Sequence, residues 1–104
     1  MLFAVHCLDK PGHAHIRQAN RPDHLAYAKA NADMLVLIGP MTTDDGTGMV
    51  GSFILIEAPD RAAVEAFCSG DPYAKAGLFE SVIIRPFKAV MGRAADAAAG
   101  SAVA

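Results

Sequence analysis

Four short apolar-centred segments, Leu2 to Leu8, Met34 to Ile38, Ser52 to Ile56 and Ser81 to Arg85, constrain this chain more than any other feature. Each has the length of a strand and is closed by turn residues: Asp9-Lys10-Pro11-Gly12, Gly39-Pro40, Ala58-Pro59 and Pro86-Phe87. Between the first two, about His15 to Asn31 is rich in Ala, Arg, Gln and Lys, which predicts a helix; Pro22 is expected to start a turn or divide it into two pieces. Between the last two, Asp60 is a good N-cap, and Ala63, Val64, Phe67 and Cys68 form one apolar helical stripe with Arg61 and Glu65 facing out. Gly70 suits the left-handed residue that follows a helix, and Asp71 before Pro72 is driven out of helical space, so that helix ends there. Met41 to Val50 reads as a glycine-bearing loop that is long for a hairpin, and such length is expected to serve function, here by closing over a cleft.

The order strand, helix, strand, strand, helix, strand is the α+β, ferredoxin-like βαββαβ arrangement, with an antiparallel sheet and both helices on one face. The other face is expected to be apolar as well. Leu35 and Leu37 alternate with Val36 and Ile38, and Phe53 and Leu55 alternate with Ile54 and Ile56, so neither side of these strands is polar. The simplest cover is the same face of a second copy, which predicts a homodimer packed sheet to sheet. A chain of 104 residues has room for one domain, expected over residues 1–91. From Arg93 onward, seven of twelve residues are alanine; the tail over residues 92–104 is expected to be flexible.

Several function classes lose support at this level. Nine Lys and Arg against eleven Asp and Glu leave a net charge of −2, which gives no basic field for nucleic acid. No apolar run is long enough to span a bilayer, so no membrane partner is expected, and the opening MLFAVHCLDK lacks a basic leader, which predicts a cytoplasmic protein. Cys7 and Cys68 form neither a CxxC nor a zinc pattern. Gly46-Thr47-Gly48 lies in a hairpin with no following Lys, unlike a P-loop, and there is no GxSxG nucleophile motif. The expected partner is a small molecule, with no cofactor and no metal.

Proton chemistry near neutral pH points to the four histidines. His24 shares a helical stripe with Arg21 and Tyr27, three residues either side: a cation, a proton carrier and a phenol able to hold a small anion. The same spacing fits ordinary half-exposed helix residues. Asp71 can orient an imidazole through a hydrogen bond, or can simply cap local backbone amides in its turn. His6 lies in phase with Leu2, Ala4 and Leu8, as a core or interface histidine or a secondary site residue. His13 and His15 resemble a metal-binding pair, but no third ligand accompanies them, and they read as a surface pair.

Arg21-Pro22-Asp23-His24-Leu25, Gly39-Pro40, Gly51-Ser52, Asp71-Pro72-Tyr73-Ala74-Lys75-Ala76-Gly77-Leu78 and Arg85-Pro86-Phe87, in this order over most of residues 3–91, resemble the YCII-related (YciI-like) family. The resemblance implies a dimeric α+β barrel built from ferredoxin-like chains, with a paired histidine and aspartate in a cleft, at positions His24 and Asp71. It also implies that Ser52 and the backbone around Gly39 and Pro40 line that cleft, with Pro72 and Tyr73 beside Asp71. Relatives include a dehydrochlorinase acting on a chlorinated hydroxyhydroquinone and, more distantly, muconolactone isomerase-like proteins. The expectation is a cofactor-independent enzyme in which Asp71 orients His24, and His24 moves a proton during isomerisation or elimination on a small anionic or phenolic substrate anchored by Arg21. The alternative is a non-catalytic small-ligand-binding or regulatory dimer that uses the same cleft.

Overall fold

The computed structural model describes residues 1–95, so most of the alanine-rich tail lies outside the described residues. Strands β1 (Leu2–Asp9), β2 (Leu35–Thr42), β3 (Met49–Glu57) and β4 (Phe79–Phe87) form one antiparallel sheet in the order β2-β3-β1-β4. Helix α1 (Ala14–Ala30) connects β1 to β2, and helix α2 (Arg61–Gly70), followed by the short α3 (Pro72–Lys75), connects β3 to β4. The chain is an α+β, ferredoxin-like βαββαβ domain.

The strands run further than their apolar centres predict. β2 continues through Gly39-Pro40 to Thr42, and β4 continues through Pro86. Both are edge strands, where a proline that cannot donate to the ladder breaks no pairing on its open side. The connecting loop therefore shrinks to residues 43–48. It is a tied turn rather than a loose lid: Thr43 N donates to Gly48 O at 2.8 Å, Gly46 adopts φ 78°, and Asp45 Oδ1 accepts from the Thr43 hydroxyl and from the backbone and hydroxyl of Thr47.

Helix α1 is one continuous helix despite Pro22. Gln18, Arg21 and Pro22 are exposed there, so the carbonyl that the missing N–H would have engaged can be met by water. In α2, Asp60 Oδ1 accepts from Ala63 N at 2.9 Å, as a cap should. Gly70 is the last residue of α2 and has no positive φ. Its smallness is instead required by packing, since a Cβ there would stand 2.5 Å from the Tyr27 hydroxyl.

Phe3, Val5, Cys7, Ile54, Ile56 and Ile84 face the helices and pack against Val64 and Phe67. A register irregularity between Leu35 and Leu37 breaks the simple alternation expected in β2. Leu35 and Ile38 join the helix-side core, whereas Val36 packs with Leu2, Phe53, Leu55 and Ala89 on the other face. That second face also carries His6, paired with Phe53 and Ile83, and it leaves Leu37, Ile83 and Phe87 about half exposed. No helix among the described residues is long and apolar enough to cross a membrane.

Candidate active site

A cavity of about 390 Å³ opens between α1, β2, the 43–48 turn and the start of α3. The 3.6-residue period of α1 puts Arg17, Arg21, His24 and Ala28 on its wall at i, i+4, i+7 and i+11. Ile38, Gly39, Pro40, Met49 and Ser52 come from the sheet, and Tyr73 from α3. The wall presents mostly apolar surface, and its two charged side chains among the described residues are both arginines.

His24 and Asp71 meet behind this wall. Pro72 holds Asp71 in extended conformation at φ −64°, ψ 127°, just where α2 stops and α3 begins. Its Oδ1 accepts from the backbone N of Tyr73 at 2.9 Å and pairs with His24 Nδ1 at 2.9 Å. The two roles open to Asp71 in the sequence, local cap and imidazole partner, are thus filled by one oxygen. Both side chains are buried, so the contact is little screened. With Nδ1–H given to the carboxylate, the neutral ring presents the lone pair of Nε2. Nε2 has no partner among the described residues, and no buried side-chain polar atom there is left unpartnered, so Nε2 is open to the cavity that His24 lines.

Tyr73 fixes the imidazole from one side. Its ring stacks on His24 at 3.9 Å and 13°, while the guanidinium of Arg17 lies 4.7 Å from the Tyr73 centroid. Burial pushes the Tyr73 phenol above its ordinary value, only partly opposed by Arg17, so it is a neutral phenol at physiological pH. Arg17 is buried too. Burial disfavours its charge, but the hydrogen bonds and charge of Asp9 outweigh that and hold it above the ordinary guanidinium value. The fork is two-pronged, with Arg17 Nε to Asp9 Oδ2 and Arg17 Nη2 to Asp9 Oδ1 both at 2.8 Å, and Nη2 also donates to Ser52 Oγ at 3.0 Å.

The structure sorts the sequence candidates. Arg21, His24, Gly39, Pro40, Ser52 and Tyr73 line the cavity, and Asp71 stands behind His24. Tyr27 does not: it turns under α2, stacks on Phe67 at 5.1 Å and donates to the Phe67 carbonyl at 2.8 Å. Arg21 and Tyr27 lie some 60° to opposite sides of His24 around the helix: the side of Arg21, shared with Arg17 and Ala28, faces the cavity, and the side of Tyr27 faces α2. Pro72 acts through the backbone rather than as wall. His6 is on the far face of the sheet. His13 and His15 sit where α1 begins, with rings 6.0 Å apart and His13 Nδ1 donating to the Pro11 carbonyl at 2.9 Å. Sequence reasoning missed Arg17 and its partner Asp9. Arg17-x3-Arg21-x2-His24 was the available signal, a cationic stripe at i, i+4 and i+7.

Residues 1–88 match the model of the YCII-related domain. The chain belongs to the YCII-related family. Protein YciI of Escherichia coli O6:H1 (strain CFT073) is 34% identical over 97 residues, covering 86% of this chain and 99% of that protein. An uncharacterized protein of Haemophilus influenzae is 30% identical over the same shares. Among solved structures, 5-chloro-2-hydroxyhydroquinone dehydrochlorinase (TftG) of Burkholderia phenoliruptrix AC1100, in complex with 2,5-dihydroxybenzoquinone, superposes with a TM-score of 0.78 at 36% identity, covering 85% of this chain and 94% of that one. An antibiotic biosynthesis monooxygenase shares the fold at a TM-score of 0.50 and 14% identity, over 84% of this chain and 98% of its own.

Proposed function

We propose that this YCII-related chain is an acid–base enzyme that eliminates a leaving group, chloride in the first instance, from a small planar hydroxylated ring, with Nε2 of His24 as the proton-carrying atom. The observation that carries the reading is the buried His24–Asp71 contact at 2.9 Å behind an open cavity. The likeness to a dehydrochlorinase at 36% identity supports the reaction type.

Loss of hydrogen chloride from a chlorinated trihydroxybenzene asks for a proton carrier and little else. A proton leaves one ring hydroxyl and another is delivered to the chlorine-bearing carbon. Loss of a second hydroxyl proton then expels chloride with the electron pair of the C–Cl bond, leaving a hydroxyquinone. The ring supplies and receives its own electrons, so the balance needs no added oxidant or reductant. His24 can take the first proton and return it, with Asp71 steadying the imidazolium in between; such assistance is worth on the order of a hundredfold to ten-thousandfold. Arg21, exposed at the mouth, gives a phenolate its counter-charge.

The reading includes a homodimer in which the exposed second sheet face, with Leu37, Ile83 and Phe87, is covered by the same face of a second copy.

The deciding experiment mixes the purified protein with 5-chloro-2-hydroxyhydroquinone and follows chloride release anaerobically. Turnover that His24→Ala abolishes supports the proposal. Tight binding of 2,5-dihydroxybenzoquinone with no chloride release above background would leave a binding protein instead.

A further inference from the structure

Ser52 sits in the sheet between Cys7 of β1 and Pro40 of β2, only 2% exposed, with the cavity as the open space it lines. A serine hydroxyl offers one proton and two acceptor sites. Arg17 Nη2 occupies an acceptor site at 3.0 Å, which turns the Ser52 proton away from the guanidinium, and that proton meets no acceptor among the described residues. The geometry points to Ser52 as the hydrogen-bond donor to an anionic or carbonyl oxygen of a bound ring compound, with Arg17 and Asp9 as the residues that position it.

Three features pre-organise that donor. Arg17 cannot swing away, because Asp9 grips it through two 2.8 Å bonds and the Tyr73 ring lies against its guanidinium. The strand that carries Ser52 is paired on both sides, so its backbone is held. The charge arrangement also selects what Ser52 meets: Asp9 is paired with Arg17 and Asp71 with His24, so among the described residues no carboxylate lines the cavity, and Arg21, with no carboxylate partner there, favours oxygen that carries or gains negative charge. The ligand class is therefore a planar enolate, phenolate or quinone with one oxygen within reach of Ser52. The inference rests on the cavity being the ligand site proposed above, but not on turnover.

The test uses 2,5-dihydroxybenzoquinone as probe, with affinity read by calorimetry and the carbonyl bands of the bound probe by infrared difference spectroscopy. Ser52→Ala is expected to weaken binding about tenfold, the worth of one charge-assisted hydrogen bond, and to move a carbonyl band to higher frequency. Ser52→Thr, which keeps the hydroxyl, restores the band. Arg17→Lys, which keeps a cation but loses the fork, moves the band part of the way in the same direction as Ser52→Ala. A role in folding alone would lower the melting temperature of Ser52→Ala and leave the bands of bound probe unmoved. Unmoved bands with affinity within twofold of the parent overturn the inference and leave the dehydrochlorinase proposal standing. A shifted band in a protein that never releases chloride supports the inference and overturns that proposal. Failure of the parent protein to bind the probe overturns the inference and leaves the dehydrochlorinase proposal to be decided by chloride release.

Discussion

His24 and Asp71 are separated by 47 residues in the chain and by 2.9 Å in the fold. The carboxylate oxygen that pairs with the imidazole is also the cap of α3, so the residue that would set the tautomer of His24 also sets the course of the backbone carrying Tyr73. Changes at this point affect chemistry and stability in separable ways.

Asp71→Asn keeps an oxygen for both donors and removes the charge that would stabilise a protonated His24. Its melting temperature is expected to stay within a few degrees of the parent, while chloride release from 5-chloro-2-hydroxyhydroquinone falls about a hundredfold. Asp71→Ala leaves two buried donors without an acceptor, at about 1–3 kcal/mol each. Urea unfolding separates the two variants, and equal loss of stability in both would contradict the assignment.

Tyr27 tests whether the packing around α2 is independent of the cavity. Tyr27→Phe removes the bond to the Phe67 carbonyl and should cost about 1 kcal/mol with no change in affinity for 2,5-dihydroxybenzoquinone. Gly70→Ala pushes a methyl against the same hydroxyl and should cost about 1–3 kcal/mol. In the Tyr27→Phe background much of that cost should disappear, because the clashing atom is gone. Chemical denaturation of the two single variants and the double variant gives the coupling.

The two thiols predict an alkaline loss of stability. Burial, with the charge of Cys68 adding, pushes Cys7 from 9.0 to about 12, and burial, with Asp71 adding, pushes Cys68 to about 11. Below pH 9 both thiols are protonated whether the chain is folded or not. Above it the unfolded chain releases protons that the folded chain retains, so stability falls from about pH 9 until pH passes 11 and then 12. Thermal melts between pH 8 and 11 should show the decline, and Cys68→Ala should flatten it. At neutral pH both thiols should react slowly with a disulfide reagent in the native protein.

The second sheet face makes the oligomer testable by one substitution. Ile83 is 47% exposed on a single chain and sits across from His6. Light scattering should give twice the chain mass for the parent and one chain mass for Ile83→Lys. A parent protein that stays at one chain mass at micromolar concentration would refute the sheet-to-sheet homodimer.

The order of elements, the cap at Asp60 and the helix-side core were legible in the sequence because each depends on local propensity or on a period of two or 3.6 residues. Local signals also misled. The prolines at 40 and 86 looked like strand ends and proved to be tolerated inside edge strands, a property of sheet order. Gly70 looked like a left-handed terminator and proved to make room for Tyr27 from another helix. The long loop proved to be a short turn tied by Asp45, because pairing of β2 with β3 consumed its ends.

By itself, then, the sequence determined the βαββαβ frame, since residue type and periodicity are local properties, while the pairing of His24 with Asp71 came from the resemblance to the YCII-related family and not from their spacing. Only the tertiary structure decided that one oxygen of Asp71 serves both His24 and α3, that Tyr27 leaves the cavity, and that Asp9 and Arg17 hold Ser52 at its wall. Hydrogen bonds between residues eight, thirty-five and forty-seven positions apart form only after the sheet has chosen its neighbours, and no spacing rule reaches that far.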